Sequence, residues 1–262
     1  MNGHPVPSAA RAARSGGTTV EICLDDVQGA LIAQECGAAR IEVCAALSEG
    51  GLTPSTGLLS AILTRVSRLE VSVLVRPRAG NFAYSAAEVD VQLADIDAIR
   101  ALPVPNGVRL GVVVGPLRAD GSVDTDVLQR LVAAAGDLPV TFHKAFDTLQ
   151  DLPGALEILI DAGVSRVLTS GGARSALEGA PVLADLVARA GERIEVMAGG
   201  GVRAHNAADL VARTAVPAIH LRAAEPVPAS SAPSSSAVSY DTPLLATACG
   251  PVHAVVAAVA GR

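Results

Sequence analysis

The sequence predicts a single closed barrel of eight parallel β-strands with a helix after each strand, that is, a (β/α)8 or TIM barrel. Three observations favour this fold. Short β-branched runs recur along the chain, longer stretches of helical composition separate them, and eight such units fit between residues 19 and 262. Strands that alternate with helices form a parallel sheet, and eight units in about 240 residues favour closure over an open sheet.

The predicted strands are short runs rich in β-branched and apolar residues. They lie at residues 20–23, 40–43, 71–75, 107–114, 140–142, 166–169, 194–198 and 218–220. Segments of helical composition follow them, for example at residues 26–36, 86–101, 125–135 and 176–190. The apolar segment 251–260 is predicted to be the eighth helix, which closes the ring.

Several helix starts are marked by side chains that accept hydrogen bonds from free backbone N–H groups. Ser85 and Glu88 have the spacing of a capping box. Asp25 and Asn206 stand where an N-cap is expected. These residues predict where three of the helices begin.

Two segments of the chain are predicted to lie outside regular structure. Residues 1–18 are rich in small residues and lack the apolar core of a secretory signal, so we expect a flexible N-terminal tail before a barrel domain at 19–262. Residues 223–238 consist largely of proline, serine and alanine without periodicity. This composition predicts a mobile loop after the last strand.

Composition excludes some classes of partner. The net charge of −6 argues against nucleic-acid binding, which usually needs a basic face. Aromatic residues make up only 2% of the chain, too few for a base-stacking surface. No apolar run reaches the roughly 18 residues that cross a bilayer, so we expect no membrane partner.

The cysteines are expected to be free thiols. The absence of an export signal predicts a cytoplasmic, reducing compartment, in which disulfides are rare. The chain has four cysteines, Cys23, Cys36, Cys44 and Cys249. We expect Cys36 and Cys249 to be small buried hydrophobes.

The pattern Glu-x-Cys occurs on the first predicted strand (Glu21, Cys23) and again on the second (Glu42, Cys44). Alternate residues of a strand point to the same side, and neighbouring strands lie about 4.8 Å apart. If that side faces inward, two carboxylates and two thiols cluster at the strand tips. The alternative is that these cysteines too serve only as apolar packing.

Charged residues also end the third and fifth strands. Arg76 and Arg78 follow the third strand, and His143 ends the fifth. Arg76 could neutralise one of the two strand glutamates, clamp a substrate anion, or form a purely structural ion pair. A histidine at the tip of a barrel strand favours a functional role over a core one.

Two glycine-rich turns follow the sixth and seventh strands. Their candidate ligand-binding residues are Ser170, Gly171, Gly199, Gly200 and Gly201. Late turns of a barrel often hold a phosphate through backbone N–H groups and a helix N-terminus. Glycine at these positions could instead satisfy backbone geometry alone.

Lys144 is the only lysine in the chain. A buried lysine with a depressed pKa can form a Schiff base with a carbonyl substrate. Alternation, however, points Lys144 away from His143 and out of the barrel interior. We therefore predict that Lys144 keeps its charge in an ion pair, with Asp147 as the most plausible partner.

A series of short motifs carries a resemblance to a known family. They read, in order, EIC (21–23), RIEVC (40–44), LSEGGLTPS (47–55), VRPR (75–78), VTFH (140–143), AFD (145–147), RVLTSG (166–171), ALEG (176–179) and VMAGGGV (196–202). The chain resembles the CutC family, usually called copper homeostasis proteins. The resemblance implies a (β/α)8 barrel and a cytoplasmic homo-oligomer, often a dimer.

The resemblance also implies Cu(I) binding, with Cys23 and Cys44 as the proposed ligands. Soft thiolates suit Cu(I). The chain departs from the family pattern at five positions, and these bear on its ligand preference. They are Ala79, Asn81, Lys144, Ala218 and Arg222.

Two functions follow from these residues. The first is a CutC-like protein that binds Cu(I) and contributes to copper tolerance. The second is an enzyme that acts on a small anionic, sugar-phosphate-like substrate by acid/base chemistry. Its catalytic candidates are Glu21, Glu42, Arg76 and His143. The ligand-binding candidates are Arg78, His220 and the residues of the glycine-rich turns.

Overall fold

A computed structural model describes residues 17–227 and 244–260 of the chain. Eight parallel strands form a closed barrel in chain order, and the last strand pairs with the first, as the sequence predicts. The strands are β1 (Thr19–Leu24), β2 (Arg40–Val43), β3 (Glu70–Leu74), β4 (Arg109–Val114), β5 (Val140–Phe142), β6 (Arg166–Thr169), β7 (Glu195–Gly199) and β8 (Ala218–Leu221).

Helices connect the strands and surround the barrel. They are α1 (Val27–Glu35), α2 (Thr56–Leu63), α3 (Ala86–Arg100), α4 (Thr125–Ala135), α5 (Leu152–Asp161), α6 (Ala180–Ala190), α7 (Ala204–Thr214) and α8 (Cys249–Val259). Short 3₁₀ turns at Leu47–Glu49 and Lys144–Thr148 follow β2 and β5. α6 begins four residues later than predicted, because turns occupy the chain before Ala180.

The predicted caps are right for one helix and wrong for two. Ser85 and Glu88 form the capping box at the start of α3. Asp26, not Asp25, caps α1, and its carboxylate accepts from the N–H of Gly29 at 2.6 Å. In α7 the predicted cap Asn206 lies one turn inside the helix, where its side chain accepts from the backbone N–H of Arg203.

Alternate strand residues separate two layers. The side chains that point outward, such as Ile22, Val73, Val112 and Phe142, pack against the helices in one apolar core. The inward positions near the strand starts are charged instead. This arrangement explains why so many glutamates and arginines lie in otherwise apolar strands.

Those inward charges are paired across the barrel. Arg40 contacts Glu21 on the neighbouring strand and Glu195, which lies 2.9 Å from its Nη2. Arg166 contacts Glu70, and its Nε lies 3.3 Å from the Glu195 carboxylate. Because a buried charge without a partner costs several kcal/mol, removal of either member of these pairs would destabilise the barrel interior.

A short hairpin extends the fold beyond β8. Strand β9 (Ala224–Pro226) pairs antiparallel with β10 (Leu245–Thr247), so the predicted mobile loop is wrong over its first residues. The rest of that predicted loop, from residue 228, lies outside the described residues, as do residues 1–16 of the predicted tail. Among the described residues, no helix is both long and apolar enough to span a bilayer.

Cys36 and Cys249 form a disulfide, so the prediction of four free thiols is wrong for this pair. Cys36 ends α1 and Cys249 begins α8, and their Cα atoms are 5.7 Å apart although 213 positions separate them along the chain. The bond joins the first and last helices where the ring closes. Cys23 and Cys44 are free, as predicted.

We predict that reduction of this disulfide destabilises the protein. Removing a cross-link that closes so long a loop should lower the free energy of unfolding by about 3–5 kcal/mol. Urea unfolding with and without reductant measures the difference. The Cys36→Ser/Cys249→Ser variant should show no response to reductant, and an equal response in both proteins would contradict the prediction.

Candidate functional site

Two free cysteines face each other at the mouth of the barrel, where the strands end. The Sγ atoms of Cys23, on β1, and Cys44, directly after β2, are 3.7 Å apart. The two residues are 8% and 1% exposed, and they pack with Leu74 and Val113. The Glu-x-Cys pattern therefore faces inward, and the sulfurs converge between neighbouring strands.

His220 connects the two glutamates of this pattern. It lies on β8, in register with Glu21 of β1. Its Nδ1 is 2.7 Å from a Glu21 carboxylate oxygen, and its Nε2 is 3.6 Å from a Glu42 oxygen. Burial alone would lower the pKa of His220, but hydrogen bonding to Cys23 and the two carboxylates raise it well above its ordinary value. These contacts therefore favour the imidazolium form of His220.

The two glutamates differ in protonation. Burial alone would raise the pKa of Glu21, but Arg40 and His220 outweigh it and lower this pKa to about 2. Burial and the nearby Cys23 sulfur raise the pKa of Glu42 well above its ordinary value. One carboxyl group is thus firmly ionised and the other favours its protonated form.

The pKa values of the two cysteines are also shifted in opposite directions. A hydrogen bond from Cys44 and one from His220 outweigh burial and lower the pKa of Cys23 to about 5. The hydrogen bond to Cys23, together with burial, raises the pKa of Cys44. Before any ligand binds, the pair holds one thiolate and one thiol.

Arg76 supports the loops around the mouth. Its guanidinium donates to the backbone carbonyls of Glu49 (3.2 Å), Gly51 (2.9 Å) and Gly80 (2.8 Å), in the loops after β2 and β3. Arg76 lies beyond the end of β3, so its side chain reaches these loops and not the strand glutamates. Arg40 is the residue that pairs with Glu21.

Arg40 is not among the site residues that the sequence predicts. The signal was present, because Arg40 alternates with Glu42 on β2 and therefore shares its inward face. Arg78, a predicted ligand-binding residue, pairs with Glu88 and donates to the carbonyls of Asn81 (2.9 Å) and Ala83 (2.8 Å). These contacts hold its own loop together.

His143 is a neutral hydrogen-bond donor in a tightly packed position. Its ring lies 4.8 Å from that of Phe82 and fills the space over Gly115, where a Cβ atom would come within 2.0 Å of the imidazole. Its Nδ1 accepts from the N–H of Ala145 at 3.2 Å, which leaves the proton on Nε2. Nε2 is buried and has no partner among the described residues.

The turn after β6 holds a carboxylate of the protein itself. Asp147 accepts from the backbone N–H groups of Ser170 and Gly172, each at 3.0 Å. Lys144 pairs with Asp147, as predicted, and donates to the Ser170 hydroxyl at 2.9 Å. The Ser170 donors that the sequence offers to an external anion are thus used by Asp147, and the Gly171 N–H donates to the Thr169 hydroxyl at 2.8 Å.

Glycine in the turn after β7 has a backbone reason. Gly200 and Gly201 have φ values of +108° and +72°, which side chains rarely adopt. A Cβ atom on Gly199 would lie 2.6 Å from Leu168. Backbone geometry and close packing are therefore sufficient reasons for glycine at these three positions. The Gly200 carbonyl also accepts a hydrogen bond from the N–H of Ala176 at 2.9 Å.

Comparisons with known proteins agree with this barrel and its motifs. The family model described as "CutC family" matches residues 18–225. The chain belongs to the CutC family. A family protein CutC of Mesorhizobium japonicum is 46% identical over 209 residues, which cover 80% of this chain and 79% of that one. One from Caulobacter vibrioides is 44% identical over 209 residues, with coverages of 80% and 82%.

A solved CutC structure has the same architecture. The crystal structure of the putative copper homeostasis protein CutC from Streptococcus agalactiae superposes with a TM-score of 0.70 and 29% sequence identity. The match covers 78% of this chain and 97% of that one. The family and the barrel are therefore established together.

We predict a pH dependence of stability that comes from His143. Burial and the charge of Arg76 lower its folded-state pKa to about 3, whereas an unfolded histidine has a pKa near 6.5. As pH falls from 7 to 5, His143 becomes protonated in the unfolded chain but stays neutral in the folded CutC protein. The contribution of His143 to the free energy of unfolding should therefore decrease over this range.

His143→Asn keeps an acceptor near the Ala145 N–H and removes the titration. His220, whose pKa is raised, acts in the opposite direction in both proteins, so only the difference between them reports on His143. Urea unfolding at a series of pH values measures it. Parallel pH profiles for the two proteins would contradict the prediction.

Proposed function

We propose that this CutC family protein binds Cu(I) through Cys23 and Cys44. The observation that carries the proposal is the pair of free, buried sulfurs, 3.7 Å apart, at the barrel mouth. Thiolates are the ligands that Cu(I) prefers among protein side chains. Because Cys23 already favours its thiolate, binding needs to displace only the Cys44 proton.

The charged groups around Cys23 and Cys44 are suited to a Cu(I) site. Cu(I) between two thiolates carries a net charge of −1, and a positive charge on His220, whose raised pKa favours the imidazolium, offsets it. Glu42 lies close enough to both sulfurs to serve as an additional ligand. Its carboxylate is a harder donor than sulfur, so we assign it a secondary role.

The same proposal includes a contribution to copper tolerance, a cytoplasmic location and a homodimer. A reducing compartment would keep Cys23 and Cys44 available as thiols, whereas the Cys36–Cys249 disulfide is a feature that such a compartment disfavours and therefore speaks against this part of the proposal. The Streptococcus agalactiae relative is described as a putative copper homeostasis protein, which supports the link to copper for this chain.

We predict that the reduced protein binds about one Cu(I) per chain under anaerobic conditions. Cys23→Ser/Cys44→Ser should abolish this binding, because a hydroxyl is a poor ligand for Cu(I). Competition with a chromogenic Cu(I) chelator measures the affinity.

The matched control is Cys36→Ser/Cys249→Ser, which also removes two sulfurs but lies where α1 and α8 meet. It should bind Cu(I) as the parent protein does. Undiminished Cu(I) affinity in Cys23→Ser/Cys44→Ser would refute the proposed site.

A second candidate function is acid/base catalysis on a small anionic substrate. The observation that favours it is the separation of the Glu21 and Glu42 pKa values, because paired carboxyl groups with opposite protonation are typical of acid/base sites. The neutral His143 adds a buried N–H donor that could polarise a substrate oxygen.

Proton exchange tests this candidate. An enzyme of this class should exchange substrate C–H protons with D2O, as seen by NMR, for at least one member of a panel of small aldose and ketose phosphates. Glu42→Gln should lose the exchange, whereas Glu178→Gln, at an exposed position, should retain it. Exchange that persists unchanged in Glu42→Gln would exclude the proposed role of Glu42.

A further inference from the structure

A cavity of about 550 Å³ lies between the N-termini of α7 and α8, beside the end of β8. Its volume falls within the roughly 300–1,000 Å³ of small-molecule sites. The polar or helix-starting residues of its lining are Arg203, Ala204, His205, Arg222, Glu225 and Pro251. None of them belongs to the sulfur pair or its partners, so this cavity is a separate feature of the barrel mouth.

The charged residues of the cavity lining are mainly basic, and its other residues are mostly apolar. Arg203 and Arg222 line the cavity together with one carboxylate, that of Glu225. Within the described residues, the Arg203 guanidinium donates to the carbonyl of Val202 (2.6 Å) and that of Arg222 to the carbonyl of Leu245 (3.3 Å). A guanidinium has several further N–H donors, so both arginines are anchored and keep donors for a ligand.

The two helices that meet at the cavity add to this positive character. The N-cap residues of α7 and α8 are Arg203 and Ala248, neither of which provides a side-chain oxygen to the first turn. An oxygen-bearing side chain caps each of α1 to α5. The first turn of α7 therefore presents backbone N–H groups at the cavity, whereas Pro251, the α8 residue that lines it, has no N–H. Each helix start also carries the positive end of its helix dipole.

We propose that this cavity binds a phosphate group, carried by inorganic phosphate or a small phosphate monoester. A phosphate dianion matches two guanidinium groups and accepts from backbone N–H groups at a helix start. The segments after strands 7 and 8 are also where (β/α)8 barrels frequently place phosphate. The proposal goes beyond copper binding and is independent of it, since no proposed copper ligand lines the cavity.

Thermal shift and calorimetric titration of the copper-free protein test the site. Inorganic phosphate and glycerol phosphate at constant ionic strength should raise the melting temperature in a saturable manner, because a ligand that binds only the folded state stabilises it. Malonate, a dianion without phosphorus, should give a smaller shift. A malonate shift that equals or exceeds the phosphate shift, or no phosphate shift at all, would overturn the proposal.

Variants then locate the binding. Arg203→Gln and Arg222→Gln should each weaken phosphate binding about tenfold or more, and Arg222→Lys should restore part of it. Arg189→Gln removes one positive charge from an exposed pair on α6 and should bind phosphate as the parent does. Equal phosphate affinity in the parent and the Arg203→Gln and Arg222→Gln variants would assign the effect to another part of the surface and refute the site.

Discussion

Inside the barrel, the guanidinium of Arg40 lies between the carboxylates of Glu21 and Glu195, and the charges at the mouth depend on this contact. Arg40 keeps Glu21 ionised in spite of complete burial. The Glu21 carboxylate in turn holds His220 as an imidazolium, which lowers the pKa of Cys23. A cation at the start of β2 is thus linked, through two further side chains, to the reactivity of a sulfur at the strand tips.

Two charged side chains, Arg76 and Asp147, hold the loops around the barrel mouth through hydrogen bonds to backbone groups. Arg76, a candidate for binding a substrate anion, instead donates to backbone carbonyls of the loops beside the site. Asp147 accepts from backbone N–H groups of the turn after β6. These contacts satisfy loop N–H and carbonyl groups that would otherwise need water. The sulfur pair, His220 and the neutral His143 are therefore the groups that remain for the proposed ligand inside the barrel. The cavity beyond β8 is a separate proposed site, and its ligand is an anion.

Much of this architecture follows from local pattern. The β-branched runs predict the strands, because each is a short segment whose outward side chains must be buried under helices. The period of two on β1 and β2 also predicts that Glu21 shares a face with Cys23 and Glu42 with Cys44, since alternation is a local property of the backbone. Arg40 obeys the same rule, so its position was predictable, but its choice of Glu21 and Glu195 as partners was not.

The sequence by itself therefore determined the fold class, the family and the pairing of each strand cysteine with a glutamate on one face, and the structure showed that this face points inward. Only the tertiary structure decided which groups meet across the ring. The disulfide between Cys36 and Cys249 joins residues 213 positions apart, and Asp147 reaches the turn at Ser170 from the preceding strand. Such contacts depend on barrel closure and, for Asp147 in the 3₁₀ turn after β5, on the direction of side chains beyond the strand ends, where the period of two no longer applies.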